Sequence, residues 1–209
     1  MKIVVVSDNH GRSEPLEQIL ELHRDADVFI HCGDSELPPQ FLQGYVCVRG
    51  NNDFYYEYPE MKILELENHR MMIVHGHHHL YMGQLDMLVS KARRQGCDFV
   101  FYGHTHIFSS QQRDGVILVN PGALSRNRDG TPPCYAVITI EGSDVSIDRV
   151  NWERSRGWRL SSVQEKVENH PRALIFNFYF LLINSNELER SEAYGFVLSA
   201  ISSAMKVIL

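Results

Sequence analysis

Five apolar runs in the first half of this chain each stop at a side chain able to hold a metal ion: Asp8, Asp34, Asn51, His75 and His104. The runs are KIVVV, ADVFIHC, YVCVR, RMMIV and DFVFY, and glycine, aspartate or asparagine follows each closely. β-branched and aromatic runs bounded in this way read as strands that end in turns. In open α/β sheets ligands bind beyond the carboxyl ends of the strands, because loops from several strands meet there. A repeated donor at five successive strand ends constrains the architecture more than any single element does.

The elements between them complete the pattern. Ser13 offers an N-cap, Pro15 lies in a first turn, and Leu16, Ile19, Leu20 and His23 recur at helical spacing. A second helix is expected from about Leu80 to Gln95, with Tyr81, Leu85, Leu88, Val89 and Ala92 on one face. MKILEL and RMMIVHG flank Glu67-Asn68-His69, which reads as a hairpin turn. GVILVNPG, CYAVITI and DVSIDRV follow as later strands. Strand–helix alternation first and strand–turn–strand later predict a mixed sheet system with helices outside.

Composition bounds the class. An apolar content of 44% and a charged content of 22% belong to a globular chain. The formal charge of −6 argues against a nucleic-acid groove that works by bulk electrostatics. Cys32, Cys47, Cys97 and Cys134 show no CxxC pairing and read as buried free thiols of a reducing compartment. The opening MKIVVVSD enters a strand without a basic leader, so a cytoplasmic protein is expected. ALIFNFYFLLI is too short for a bilayer crossing, which takes about 20 residues.

The donors themselves are Asp8-x-His10, Asp34, Asn51, His75 and His104-x-His106. On an extended backbone residues i and i+2 point the same way, roughly 6.5–7 Å apart, so each pair is expected to converge on one object. His104 and His106 alone read equally well as a loop that happens to hold two histidines. Together the seven form an oxygen and nitrogen set with no thiolate, which suits Mn²⁺, Fe, Zn²⁺ or Ni²⁺ in a catalytic site. Seven are too many for one tetrahedral ion and about right for two ions that share a bridging carboxylate.

The ordered blocks SDNHG, GD, GNND, HGH, GHTH and NPGA resemble those of the calcineurin-like metallophosphoesterases, in particular the small bacterial and archaeal phosphodiesterases. The resemblance covers roughly residues 1–155. It implies a four-layer fold, two mixed β-sheets packed as a sandwich with helices on both outer faces. It places a metallophosphoesterase domain at 1–160 and leaves 161–209 as a C-terminal extension, open to being a helix pair, a homo-oligomer contact or a tail. It further implies two divalent metal ions, Mn²⁺ first among them with Zn²⁺, Ni²⁺ or Fe as alternatives. One ion would take Asp8, His10, Asp34 and His106; the other would take Asp34, Asn51, His75 and His104, with Asp34 bridging. The expected activity is hydrolysis of a small phosphate ester, most simply a diester, by a hydroxide held between the ions.

Asn52 stands where many relatives carry a histidine thought to protonate the leaving oxygen. His77 is the candidate general acid in its place, with an outer or solvent-facing histidine as the alternative. Asp53 is expected to orient a ligand histidine. Arg12, Arg126 and Arg128 lie in loops that could bring a guanidinium to phosphate, though each taken singly reads better as a solvated arginine of a flexible loop. Two rival readings fit the residues less well. A non-catalytic scaffold of the same fold, like the retromer sorting subunit, would have lost ligands, and all seven positions here are competent. A metallo-β-lactamase-type hydrolase needs an H-x-H-x-D-H block, and HGHHH does not supply its Asp-His pair.

Overall fold

The structure is a computed structural model and describes residues 1–80 and 85–153. Strands β1 (Lys2–Val6), β2 (Val28–His31) and β3 (Tyr45–Cys47) run parallel and join β9 (Cys134–Glu141) and β10 (Asp144–Asn151) in one five-stranded sheet, order β10-β9-β1-β2-β3. The second sheet has the order β4-β5-β6-β8-β7, built from Met61–Leu66, His69–Val74, Phe99–Phe101, Val116–Pro121 and Phe108–Arg113. Within it β5, β6 and β8 are parallel, while β4 and β7 are antiparallel edges. Both sheets are therefore mixed, and each contains three adjacent strands paired in parallel.

Between the sheets Ile3, Val5, Ile30, Cys32 and Val48 meet Met71, Ile73, Phe99, Phe101 and Val119, all buried. The outer face of the first sheet is covered by α1 (Glu14–Leu22), whose Leu16 and Ile19 pack on Val4, Val6, Tyr135 and Val137. The outer face of the second is covered by α2 (Asp86–Arg94), whose Leu88, Val89 and Ala92 pack on Met72, Val74, Val100 and Leu118. Alternate residues of β1 thus face opposite layers, Ile3 and Val5 inward and Val4 and Val6 toward α1, the period-two rule of a strand buried on both sides. The four-layer sandwich is the architecture expected from the sequence.

Four local details differ from that expectation. Ser13 precedes α1, but its side chain makes no capping bond. The second helix begins at Asp86, later than expected, and Tyr81 lies outside the described residues. β7 reads FSSQQR, a mostly exposed edge strand with no apolar alternation, so periodicity could not find it. A 3-10 turn over Pro39–Leu42 also carried no signal. The hairpin at Glu67-Asn68 forms, with Glu67 in the left-handed region at φ 53°. The boundary near residue 160 and the extension 161–209 lie outside the described residues.

Candidate metal centre

Parallel strands β1, β2, β3, β5 and β6 bring their carboxyl ends to one edge of the sandwich, and the loops there interlock through backbone bonds. Asp8 N–H donates to Gly33 C=O, His10 N–H to Asp34 C=O, and Gly103 N–H to His75 C=O. The first sheet's loops are tied to the second's by His75, whose Nδ1–H donates to Cys32 C=O at 2.8 Å. Two glycines act here by leaving room. A Cβ on Gly50 would collide with Asp34, and one on Gly103 would collide with Ser7 Oγ and sit 2.8 Å from Asp8 Oδ2.

All seven expected donors come together along one chain of contacts. His10 Nε2 lies 3.3 Å from His106 Nε2, and His106 Nε2 lies 3.1 Å from Asp8 Oδ1. Asp8 Oδ1 is 4.0 Å from His75 Nε2, which is 3.5 Å from Asp34 Oδ2 and 3.1 Å from Asn51 Oδ1. The ring of His104 stands edge-on to that of His75 at 5.2 Å between centroids. Two donor groups result, Asp8–His10–His106 and Asp8–Asp34–His75. The carboxylate common to both is Asp8, whereas the resemblance assigns the bridge to Asp34. Asp34 accepts from Asn52 N–H at Oδ1 and from the Asn52 amide at Oδ2, each at 2.7 Å.

The Asp8-x-His10 pair meets in one donor group, whereas the His104-x-His106 pair parts, and neither pair is extended. Asp8, His10, Asp34, His104 and His106 all have positive φ, between 46° and 67°. Such conformations are uncommon for non-glycine residues and cost on the order of 1–3 kcal/mol each, a form of strain that clusters at functional sites. His106 joins His10 and Asp8, while His104 turns toward His75, so the two imidazoles of the HxH pair part.

Second partners fix the rings. His10 Nδ1–H donates to Glu36 Oε1 at 2.6 Å, and His106 Nδ1–H donates to Arg126 C=O at 3.0 Å. With Nδ1 protonated in His10, His75 and His106, the Nε2 atoms of His10 and His106 present lone pairs to each other, and that of His75 presents one to carboxylate and amide oxygens. Asp8 Oδ1 is buried with no hydrogen-bond partner. Acceptors facing acceptors require positive charge between them, and this donor set fits divalent cations. The electrostatics agree. Asp8, whose Oδ1 lies 3.1 Å from Nε2, outweighs burial to raise the pKa of His106. Burial lowers that of His75, yet Asp34 and Asp8 more than offset it. Burial would raise the Asp8 carboxyl, but His106 and His75 hold it below its ordinary range.

The remaining candidates take other places. Asp53 does not touch a histidine: it accepts from Asp34 N–H and Gly50 N–H at one oxygen and from Ser35 Oγ–H and Glu36 N–H at the other. It therefore shapes the two ligand loops through their backbones. Arg12 donates to the carbonyls of Leu124 and Ser125 and stacks over Trp152 at 4.8 Å, which commits its guanidinium to the loop after β8. Arg126 is exposed and contributes its carbonyl to His106. His77 stands beside the centre, 5.4 Å from His75 and 6.2 Å from His104 between ring centroids. Burial and the neighbouring histidines lower its pKa to about 4, so it is neutral at pH 7. Glu36 was missed by sequence reasoning, and its position two residues after Asp34 was the available signal. His31 was missed as well. It is wholly buried at the end of β2, receives Gly33 N–H at Nδ1 and donates Nε2–H to Asn9 Oδ1, which ties the Asp8 and Asp34 loops together.

Comparison with known proteins agrees with this geometry. The profile of the calcineurin-like phosphoesterase superfamily domain matches residues 1–143. A probable metallophosphoesterase of Bacillus subtilis is 32% identical over 150 residues, covering 70% of this chain and 89% of the relative. The crystal structure of a predicted phosphoesterase from Streptococcus pneumoniae is 31% identical and superposes with a TM-score of 0.69, over 75% of this chain and 93% of its own. A zinc complex of Vps29 from Entamoeba histolytica shares the fold at 20% identity and a TM-score of 0.57, over 73% of this chain and all of its own. With the donor-bearing strand ends, the double sheet and a profile match over most of the length, this chain belongs to the calcineurin-like phosphoesterase superfamily.

Proposed function

We propose that this metallophosphoesterase is a dinuclear phosphodiesterase, with Asp8, His10, Asp34, Asn51, His75, His104 and His106 holding two divalent cations, Mn²⁺ foremost. The observation that carries the reading is the opposition of the His10 and His106 Nε2 atoms beside Asp8 Oδ1, which has no hydrogen-bond partner among the described residues, with His75 Nε2 facing Asp34 and Asn51. When bound, the cations supply Lewis acidity that ionises an attacking water and neutralises charge on the phosphoryl oxygens. The chain's part is to aim the donors: Glu36 and the carbonyls of Cys32 and Arg126 fix the imidazoles, Asn52 fixes Asp34, and Asp53 fixes both loops.

Charge balance supports a diester. Two divalent cations set against two carboxylates and one ionised water leave a single net positive charge, the complement of a phosphodiester monoanion. Arg12, which could have matched a doubly charged monoester, is committed to the loop after β8. An intact donor set speaks against a scaffold that has lost its site. The test is metal analysis of the purified chain together with Mn²⁺-dependent hydrolysis of matched aryl mono- and diesters. Two equivalents of Mn²⁺ and a faster diester are expected. Full activity in metal-free protein would overturn the reading.

A further inference from the structure

A second cluster of donors stands beside the centre and is not used by it. Glu60, His77 and His78 each offer a ligand atom, and these atoms lie within 4.8 Å of one another. The fold explains the meeting. Met61 pairs with Val74 at the end of the β4–β5 ladder, so Glu60 leaves the sheet beside the turn that carries His75 to His79. Glu60 Oε2 is 3.9 Å from His78 Nε2, and the rings of His77 and His78 are 3.8 Å apart at their centroids. Glu60 Oε1 meets Arg49 at 3.6 Å, which leaves Oε2 toward the histidines. These residues line a recess of about 380 Å³ together with Val74, His75, Gly76, His79 and Lys91. The Nδ1 atom of His77 is buried with no hydrogen-bond partner among the described residues.

We infer that Glu60, His77 and His78 form a third divalent-cation site on the wall of the dinuclear centre. Two imidazoles and one carboxylate are the donor set of open zinc and related sites, which keep positions for water or ligand. Tetrahedral ligation at about 2.0–2.2 Å puts donor atoms roughly 3.3 Å apart, so Glu60 and His78 need to close by a fraction of an ångström. Both side chains are more than half exposed, which leaves them free to do so. The occupant is a borderline cation such as Zn²⁺, Co²⁺ or Ni²⁺, because imidazole donors favour these over Mg²⁺ or Ca²⁺. A cation there adds positive charge to the mouth of the recess, beside His75.

The inference rests on the dinuclear reading for its count, and the experiment separates the two. Chelated full-length chain is titrated with Co²⁺, and bound metal is counted by equilibrium dialysis with the visible absorption of Co²⁺ as a second readout. Wild type is expected to take up three equivalents, and the double variant Glu60→Gln/His78→Ala two, with unchanged circular dichroism. Two equivalents in both proteins, with identical spectra, would overturn the third site and leave the dinuclear reading standing. In an Asp8→Asn background, where the main centre is damaged, one equivalent that vanishes on adding Glu60→Gln/His78→Ala would support the third site by itself. Retention of that equivalent would overturn it.

Discussion

The Nε2 atoms of His10 and His106 face each other at 3.3 Å, although each ring has its other nitrogen bonded to an acceptor. The folded protein holds two lone pairs in opposition, and cations that bind only the folded state relieve this. Binding at a hundredfold excess over Kd adds about 2.7 kcal/mol of stability. For a domain of this size that raises Tm by roughly 5–10 °C. Scanning calorimetry of chelated and Mn²⁺-loaded protein checks this, and coincident transitions would contradict the proposed occupancy.

Asp8 belongs to both donor groups and Asp34 to one. Asp8→Asn is therefore expected to lose both equivalents of metal, and Asp34→Asn to keep one. Metal counts on the two purified variants decide the matter. The reverse order would restore the bridge to Asp34.

Glu36 accepts the Nδ1–H of His10 and touches no other donor of the set. Glu36→Gln keeps the shape and removes the charge that makes His10 a better ligand. Partners of this kind typically contribute roughly 10–100-fold in metal affinity. Isothermal titration with Mn²⁺ should show a loss in that range with the fold unchanged. An unaltered affinity would make Glu36 a bystander.

His31 is buried and neutral, with both ring nitrogens bonded. Burial first, only partly offset by Asp53 and Asp8, lowers its pKa from 6.5 to about 4. The unfolded chain takes up a proton as pH falls through 6.5, whereas the folded chain resists until near 4. Stability is therefore full above the unfolded value and lost between those limits, by about 3 kcal/mol from this residue. Urea unfolding of chelated protein between pH 7.5 and 4.5 should be steeper in wild type than in His31→Gln. Parallel curves would show that His31 is not the group responsible.

His77 is neutral at pH 7, and cations at the centre can only lower its pKa further. A positioned acid contributes about 10²–10⁴-fold and matters most for poor leaving groups. His77→Ala is thus expected to leave the ratio of aryl to alkyl diester rates unchanged. A selective fall in alkyl hydrolysis would return His77 to the role of proton donor.

The sequence by itself determined the donors and the layers. Each of Asp8, Asp34, Asn51, His75 and His104 follows an apolar run, and runs of that composition become strands wherever they can be buried on both faces. Periodicity is a local property, and it assigned α1, β1, β2 and β5 correctly. It was silent on β7, whose FSSQQR is held only by pairing with β8 along an exposed edge. It also misjudged the aim of the HxH pair. Alternation holds for extended backbone, but His104 and His106 sit at φ 67° and 55°, a conformation imposed by loops packed around them. Asn120 donates to Gly103 C=O and Thr105 Oγ1, and Arg128 N–H to His106 C=O, from segments remote in sequence. Which donors stand close enough to share a cation, which carboxylate is common to both groups, and that Glu36 braces His10 were decided only by tertiary structure. Those relations join loops from two sheets, and the relative placement of loops follows from strand register and sheet packing, which no local pattern encodes.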